Sequence, residues 1–339
     1  MVYHGRALLR SSRALGMLLA VASVAAGCSS KSGDTGGAGG TLGSLAAGGA
    51  DAGSAARPAD PMVTVSLQGR TYDITVPPSY DKSKPTPVFL ELHGFLTITG
   101  DSTPWLTEEM ANLFAPEAAK RGIIFVMPHG NEDNTLGDYF WNATDSCCDF
   151  EDTGVNDIGY LMAVIADVQA KYNVDPKRIY AFGHSNGGFM VNRMACDQAD
   201  KIAGIVSLAG ETYTDQTRCA ASAPIAFLQV QGTADTTVLY GGGPPFDISG
   251  IPPAPGAVET AEDWAVKNDC DLTPDTSQPM ITLMTGSTAP DTTKTVYSAG
   301  CQGNGQTELW VLTNGPHSPS FTAAWAPAVF DFLTAHPKP

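Results

Sequence analysis

The spacing of apolar positions changes repeatedly along the chain, and each change marks an expected element. Residues 62–67 and 71–76 alternate apolar and polar side chains, the period of half-buried strands, and Gln68-Gly69-Arg70 between them reads as a turn. The sheet is therefore expected to open with an antiparallel pair, which Pro77-Pro78 and the Lys/Pro loop over 82–87 bring to an end. Residues 88–92 and 123–127 are short continuous apolar runs, as in strands covered on both faces. Between them, 108–121 is predicted to be a helix stopped by Gly122. In a second helix, over 157–172, Ile158, Leu161, Met162, Ile165 and Val168 recur at helical spacing behind Asn156 as N-cap. Further strands are expected at 179–182, 202–208, 225–230, 293–298 and 308–312, and helices at 258–267 and 323–335. Residues 128–155 show no period and read as one long loop. The Gly/Pro-rich stretch 241–256 reads as a loop at the rim of a site. Strands alternating with helices imply an α/β domain over 62–339, with a mainly parallel central sheet and helices on both faces.

The first residues have a different pattern. Arg6, Arg10 and Arg13 precede an apolar run over 14–26, too short for an ordinary membrane span, and Ala25-Ala26-Gly27-Cys28 closes it. Residues 1–28 are expected to be a secretory signal of lipoprotein type, with Cys28 as the lipidated new N-terminus. A plain signal peptide cut nearby is the alternative. Residues 29–61 hold Gly, Ala, Ser, Thr and Asp with few bulky apolar side chains, so they are expected to form a flexible tether.

Composition narrows the partners. A formal charge of −16 disfavours nucleic acid and anionic membranes, so any membrane association is expected through Cys28 alone. Besides Cys28, the cysteines are Cys147, Cys148, Cys196, Cys219, Cys270 and Cys301, an even number in an exported chain. The expected pairs are Cys270 with Cys301 and Cys196 with Cys219, which leaves Cys147 and Cys148 bonded to each other or free. The adjacent pair lacks metal-ligand spacing and has no histidine cluster beside it, so no metal site is expected.

The chemistry centres on one stretch. The run from Arg178 through Ile179, Tyr180, Ala181 and Phe182 leads into Gly183-His184-Ser185-Asn186-Gly187-Gly188, followed by a helix-compatible segment. This is the strand–turn–helix setting that exposes a serine hydroxyl on a sharp corner. Such a hydroxyl needs a base and an acid that orients the base. Of the six histidines, His4 lies in the signal, and His184 neighbours the serine on a turn that points it elsewhere. His336 falls in the tail of the last helix, while His317 sits in a loop directly after a strand. The chain order Ser, acid, His selects His317. Asp235 follows the 225–230 strand and is the expected acid, with Glu211, one strand earlier, and Asp247, in the 241–256 loop, as alternatives. The main-chain N–H groups of Asn186 and Phe95 are the expected oxyanion donors, the latter because Leu92-His93-Gly94 lets the chain bend after its strand. His93, Trp141, His184 and Phe321 are expected to contact substrate. Together these groups specify acyl transfer to water without a cofactor.

These motifs resemble the polyhydroxybutyrate depolymerase/feruloyl esterase family of exported α/β-hydrolases. The likeness runs from about residue 62 to the end. It includes Leu92-His93-Gly94, Trp141-Asn142 with Cys147-Cys148, Tyr172-Asn173-Val174-Asp175-Pro176, Gly232-Thr233-Ala234-Asp235 and Trp264 followed by Cys270. The resemblance implies an α/β-hydrolase fold, a triad of Ser185, Asp235 and His317, and esters of hydroxyalkanoates or hydroxycinnamic acids as small or oligomeric substrates. One departure is plain. The family commonly continues from its histidine into Thr-Trp-Pro-Gly, whereas His317 here precedes Ser318-Pro319-Ser320-Phe321, so Phe321 is expected to replace the tryptophan wall or leave it missing. A peptidase or lipase on the same fold, and a catalytically silent binding lipoprotein, are the alternatives. No propeller domain, long apolar lid or trailing polymer-binding domain is evident.

Overall fold

The computed structural model describes residues 62–95, 105–133, 138–247 and 250–339. The expected signal segment, Cys28 and the tether over 29–61 lie outside the described residues. Among the described residues, no helix is long and apolar enough to cross a membrane.

The strands are β1 (Val63–Leu67), β2 (Arg70–Thr75), β3 (Thr86–Leu92), β4 (Ile124–Pro128), β5 (Asn131–Glu132), β6 (Tyr139–Phe140), β7 (Val174–His184), β8 (Gly204–Leu208), β9 (Ala226–Gly232), β10 (Thr292–Tyr297) and β11 (Gln306–Leu312). The helices are α1 (Trp105–Arg121), α2 (Asp157–Lys171), α3 (Asn186–Gln198), α4 (Ala257–Lys267) and α5 (Trp325–Thr334). Among the described residues, nine strands form one sheet in the order β1-β2-β4-β3-β7-β8-β9-β11-β10. From β4 to β11 all neighbours are parallel, and antiparallel partners close both edges.

The apolar strands alternate their side chains between two cores. Val88, Leu90, Leu92, Ile179 and Ala181 pack on one face with Leu161, Val164 and Val168 of α2 and Phe189, Met190 and Met194 of α3. Phe89, Tyr180, Phe182 and Val206 pack on the other with Phe114 of α1 and Val329 and Phe330 of α5. Rings at 4.8 Å between Phe114 and Phe182 and 4.7 Å between Phe89 and Phe330 fill that second layer. A buried aromatic of this size contributes on the order of 2–3 kcal/mol.

Two expectations change in detail. β7 begins at Val174 rather than 179, because its first residues are polar and partly exposed and carry no apolar signal, although Val174 already pairs with Thr86. The long loop over 128–155 contains the small hairpin of β5 and β6, whose two-residue strands are too short to show an alternation. Disulfides join Cys196 to Cys219, Cys270 to Cys301, and Cys147 to Cys148.

Candidate active site

Ser185 stands where β7 ends and α3 begins, with φ 53° and ψ −121°. L-residues rarely occupy that region, and the surroundings impose it. Its N–H donates to Leu208 O at 2.8 Å, while its carbonyl accepts from Phe189 N at 3.0 Å. The turn is so tight that a Cβ on Gly183 would lie 2.0 Å from Gly187 O, and one on Gly187 would lie 2.2 Å from Leu92 O. Only glycine lets β7, α3 and the end of β3 approach this closely.

β9 and β11 are adjacent and parallel, so the loops that follow them emerge side by side. Ala234 N donates to Gly315 O at 3.0 Å and Asn314 N donates to Thr233 Oγ1 at 2.8 Å, locking the two loops together. This brings His317 between Ser185 and Asp235. His317 Nε2 lies 2.9 Å from Ser185 Oγ, and Nδ1 lies 2.8 Å from Asp235 Oδ2. With the proton on Nδ1, His317 donates to Asp235 and accepts from the serine hydroxyl. Asp235 is itself held: Oδ1 accepts from Thr237 N and Val238 N, and Oδ2 from Gln231 Nε2. The carboxylate on His317 is therefore that of Asp235. Glu211 lies fully buried after β8, where burial pushes its carboxyl well above the ordinary carboxylate range. Asp247 ends a short turn, Pro245–Asp247, inside the Gly/Pro-rich loop.

The oxyanion candidates are adjacent in space. A Cβ on Gly94 would lie 3.3 Å from Ser185 Cβ, so the loop carrying Phe95 runs along the nucleophile. Asn186 is the first residue of α3, and its N–H has no partner within that helix.

Of the four expected substrate contacts, Trp141 and Phe321 are taken into the core, while His93 and His184 are held by main-chain hydrogen bonds beside the nucleophile. Trp141 is fully buried, its indole N–H donating to His93 O at 2.9 Å. Its main chain exchanges two hydrogen bonds with the Asn186 side chain. Trp141 thus braces β3 against the start of α3. His93 donates from Nδ1 to Gly94 O and accepts at Nε2 from Gly130 N–H at 2.8 Å, and burial pushes its pKa down to about 4. Phe321 lies in the second core, stacked on Trp325 with centroids 4.0 Å apart, so it is no replacement for an aromatic wall. His184, also buried, faces the His317 loop, and burial pushes its pKa down to about 3.

The sequence reading missed one support. Arg70 Nη1 pairs with Asp157 Oδ1 at 2.5 Å, and Asp157 Oδ2 accepts from Asn142 N at 2.6 Å. The Arg70 guanidinium lies 3.7 Å above the Tyr160 ring centre. This clamp fixes the segment beside Trp141. Its only trace in the sequence is an acid in the first turn of α2, which reads equally well as dipole compensation.

Residues 110–241 match the prolyl oligopeptidase family. Feruloyl esterase B of Piromyces equi is 30% identical over 210 residues, 61% of this chain and 37% of that protein. A probable feruloyl esterase C of Aspergillus niger is 27% identical over 211 residues, 60% of this chain and 64% of that protein. The chain thus spans less than two thirds of the length of these relatives. Among solved structures, acetyl xylan esterase from Aspergillus awamori superposes with a TM-score of 0.54 at 14% identity, covering 81% of this chain and 99% of that one. At that identity the likeness is one of fold.

Proposed function

We propose that the chain is a feruloyl esterase-like α/β-hydrolase that hydrolyses carboxylic esters through an acyl-enzyme on Ser185. The observation that carries this reading is the continuous line from Ser185 Oγ through His317 to Asp235, with links of 2.9 and 2.8 Å. His317 Nε2 takes the hydroxyl proton as Ser185 attacks the ester carbonyl, and Asp235 holds the imidazole in the tautomer that allows it. The oxyanion is met by the N–H groups of Asn186 and Phe95. His317 then protonates the departing alcohol, and water, deprotonated by the same imidazole, releases the acid. The resemblance and the names of the relatives support hydroxycinnamate or hydroxyalkanoate esters as substrates. The cell envelope, reached by export and lipidation at Cys28, is the proposed location.

Removing a nucleophile or its base typically lowers kcat by about 10⁴-fold or more. Ser185→Ala and His317→Ala are both expected to show such a loss on p-nitrophenyl acetate, and near wild-type turnover by either would overturn the reading. Full activity by the wild type on a prolyl p-nitroanilide without ester turnover would favour a peptidase, the second reading that the prolyl oligopeptidase match supports. Cys28→Ser should move the protein out of the membrane fraction, and unchanged fractionation would contradict the anchor.

A further inference from the structure

With Phe321 and Trp141 buried, the aromatic surface near the nucleophile comes from elsewhere. Phe95 follows Gly94 on the loop after β3, Phe150 lies between β6 and α2, and Phe246 lies between β9 and α4. The three rings form a chain, with centroids 5.7 Å apart from Phe95 to Phe150 and 6.2 Å apart from Phe150 to Phe246. Phe150 is 45% exposed and Phe246 37%. A single exposed phenylalanine is ordinary. Here three loops bring three rings together in one strip that starts at Phe95, next to the Gly94 that packs on Ser185, and chance exposure does not explain that.

Two observations tie the strip to the site. Phe246 has φ 60° and ψ 12°, a left-handed conformation that bulky side chains rarely adopt. Its N–H donates to Thr237 O at 2.8 Å, and Thr237 N donates in turn to Asp235 Oδ1 at 2.8 Å. The turn that fixes the acid thus also holds this ring in place. Phe150 also lines an open cleft of about 440 Å³ with Asn142, Asp145, Cys147, Arg193 and Arg218. Asn186 Nδ2 lies 3.6 Å from Cys147 Sγ, so the wall of this cleft touches the residue that follows the nucleophile.

We propose that Phe95, Phe150 and Phe246 are the specificity element of this hydrolase and grip the face of a planar aromatic ring carried by the ester. The proposal rests on Ser185 being the nucleophile. A flat ring gains offset-stacked or edge contacts with such a strip. An aliphatic hydroxy acid presents no face of that kind. The ring can belong to the acid or to the alcohol, and paired esters separate the two.

The test measures kcat/KM on methyl ferulate against methyl 3-hydroxybutyrate, and on phenyl acetate against ethyl acetate, for wild type, Phe150→Ala, Phe246→Ala and Phe150→Leu. The first ratio is expected to fall about fivefold or more in each variant if the ring lies on the acid, chiefly through KM. A fall in the second ratio places it on the alcohol. Phe150→Leu keeps apolar bulk but loses the ring face, so it should track the alanine variant. Both ratios staying within threefold of wild type in every variant would overturn the proposal, as would turnover of none of the four esters by a wild type whose Ser185 reacts with a fluorophosphonate. Equal fluorophosphonate labelling of Ser185→Ala and wild type would instead reject the nucleophile itself, whatever the ratios. Unchanged melting temperature and far-UV circular dichroism in the variants confirm that they fold.

Discussion

His184 Nε2 lies 2.9 Å from the main-chain oxygen of His317, so a buried neutral imidazole donates its proton to the backbone of the residue proposed as base. The two rings stand 5.0 Å apart. His184 leaves the strand one residue before the serine, so a single short segment supplies the nucleophile and a tie for its partner's loop. His184→Ala should lower kcat about tenfold or more with little change in KM, because the loop loses its anchor while the substrate surface is kept. His184→Gln retains an N–H donor and should recover part of the loss. Equal losses in the two variants would contradict a role for the N–H that His184 donates to His317 O.

Acid should weaken the fold through the same residue and His93. Burial holds their pKa values at about 3 and about 4, below the ordinary 6.5. Between about pH 6.5 and about pH 4 the unfolded chain binds protons that the folded chain refuses, so stability falls as pH falls through that window. Melting temperatures across this range check it. His93→Gln should flatten the slope, and a slope unchanged in that variant would contradict the assignment.

Glu211 works in the opposite direction. Burial raises its carboxyl well above 4.5, so the folded chain keeps a proton that the unfolded chain releases as pH rises past that value. The group is therefore increasingly destabilising above about pH 4.5. Glu211→Gln removes the titration at nearly constant volume. It should raise the melting temperature at pH 8 and change it much less at pH 4.

The Arg70–Asp157 pair should be worth more than a surface ion pair, since Asp157 is fully buried and also accepts from Asn142 N. Arg70→Met strands a buried carboxylate and is expected to cost about 3–5 kcal/mol in urea unfolding. Adding Asp157→Leu should return part of that loss, and a double variant as unstable as the sum of the two singles would show that the pair is not coupled.

Gly187→Ala puts a methyl group 2.2 Å from Leu92 O and must displace either the end of β3 or the start of α3. Esterase turnover should be lost even where the variant still folds, and its recovery of more than a tenth of wild-type kcat would contradict the close approach.

The elements and the Ser185–His317–Asp235 cluster were legible because each signal is local. Continuous apolar runs mark the central strands, and Ser185, Asp235 and His317 each follow a strand in the parallel sheet, so chain order implies spatial convergence. What depended on long-range packing was not legible. Trp141 and Phe321 have the composition of a binding wall, but the Asn186 amide draws one into the scaffold and Trp325 stacks on the other. Phe150 and Phe246 lie in stretches without a period, and their meeting is set by loops more than ninety residues apart in the chain. The Arg70–Asp157 clamp spans 87 residues and leaves no spacing to read.

The central claim is that Ser185 is the group acylated by substrate. Reaction with a fluorophosphonate, followed by proteolysis and peptide mass spectrometry, addresses it most directly. The account requires one adduct, on Ser185, absent from Ser185→Ala and formed far more slowly in His317→Ala. An adduct on a different serine, or undiminished labelling of Ser185→Ala, would contradict it.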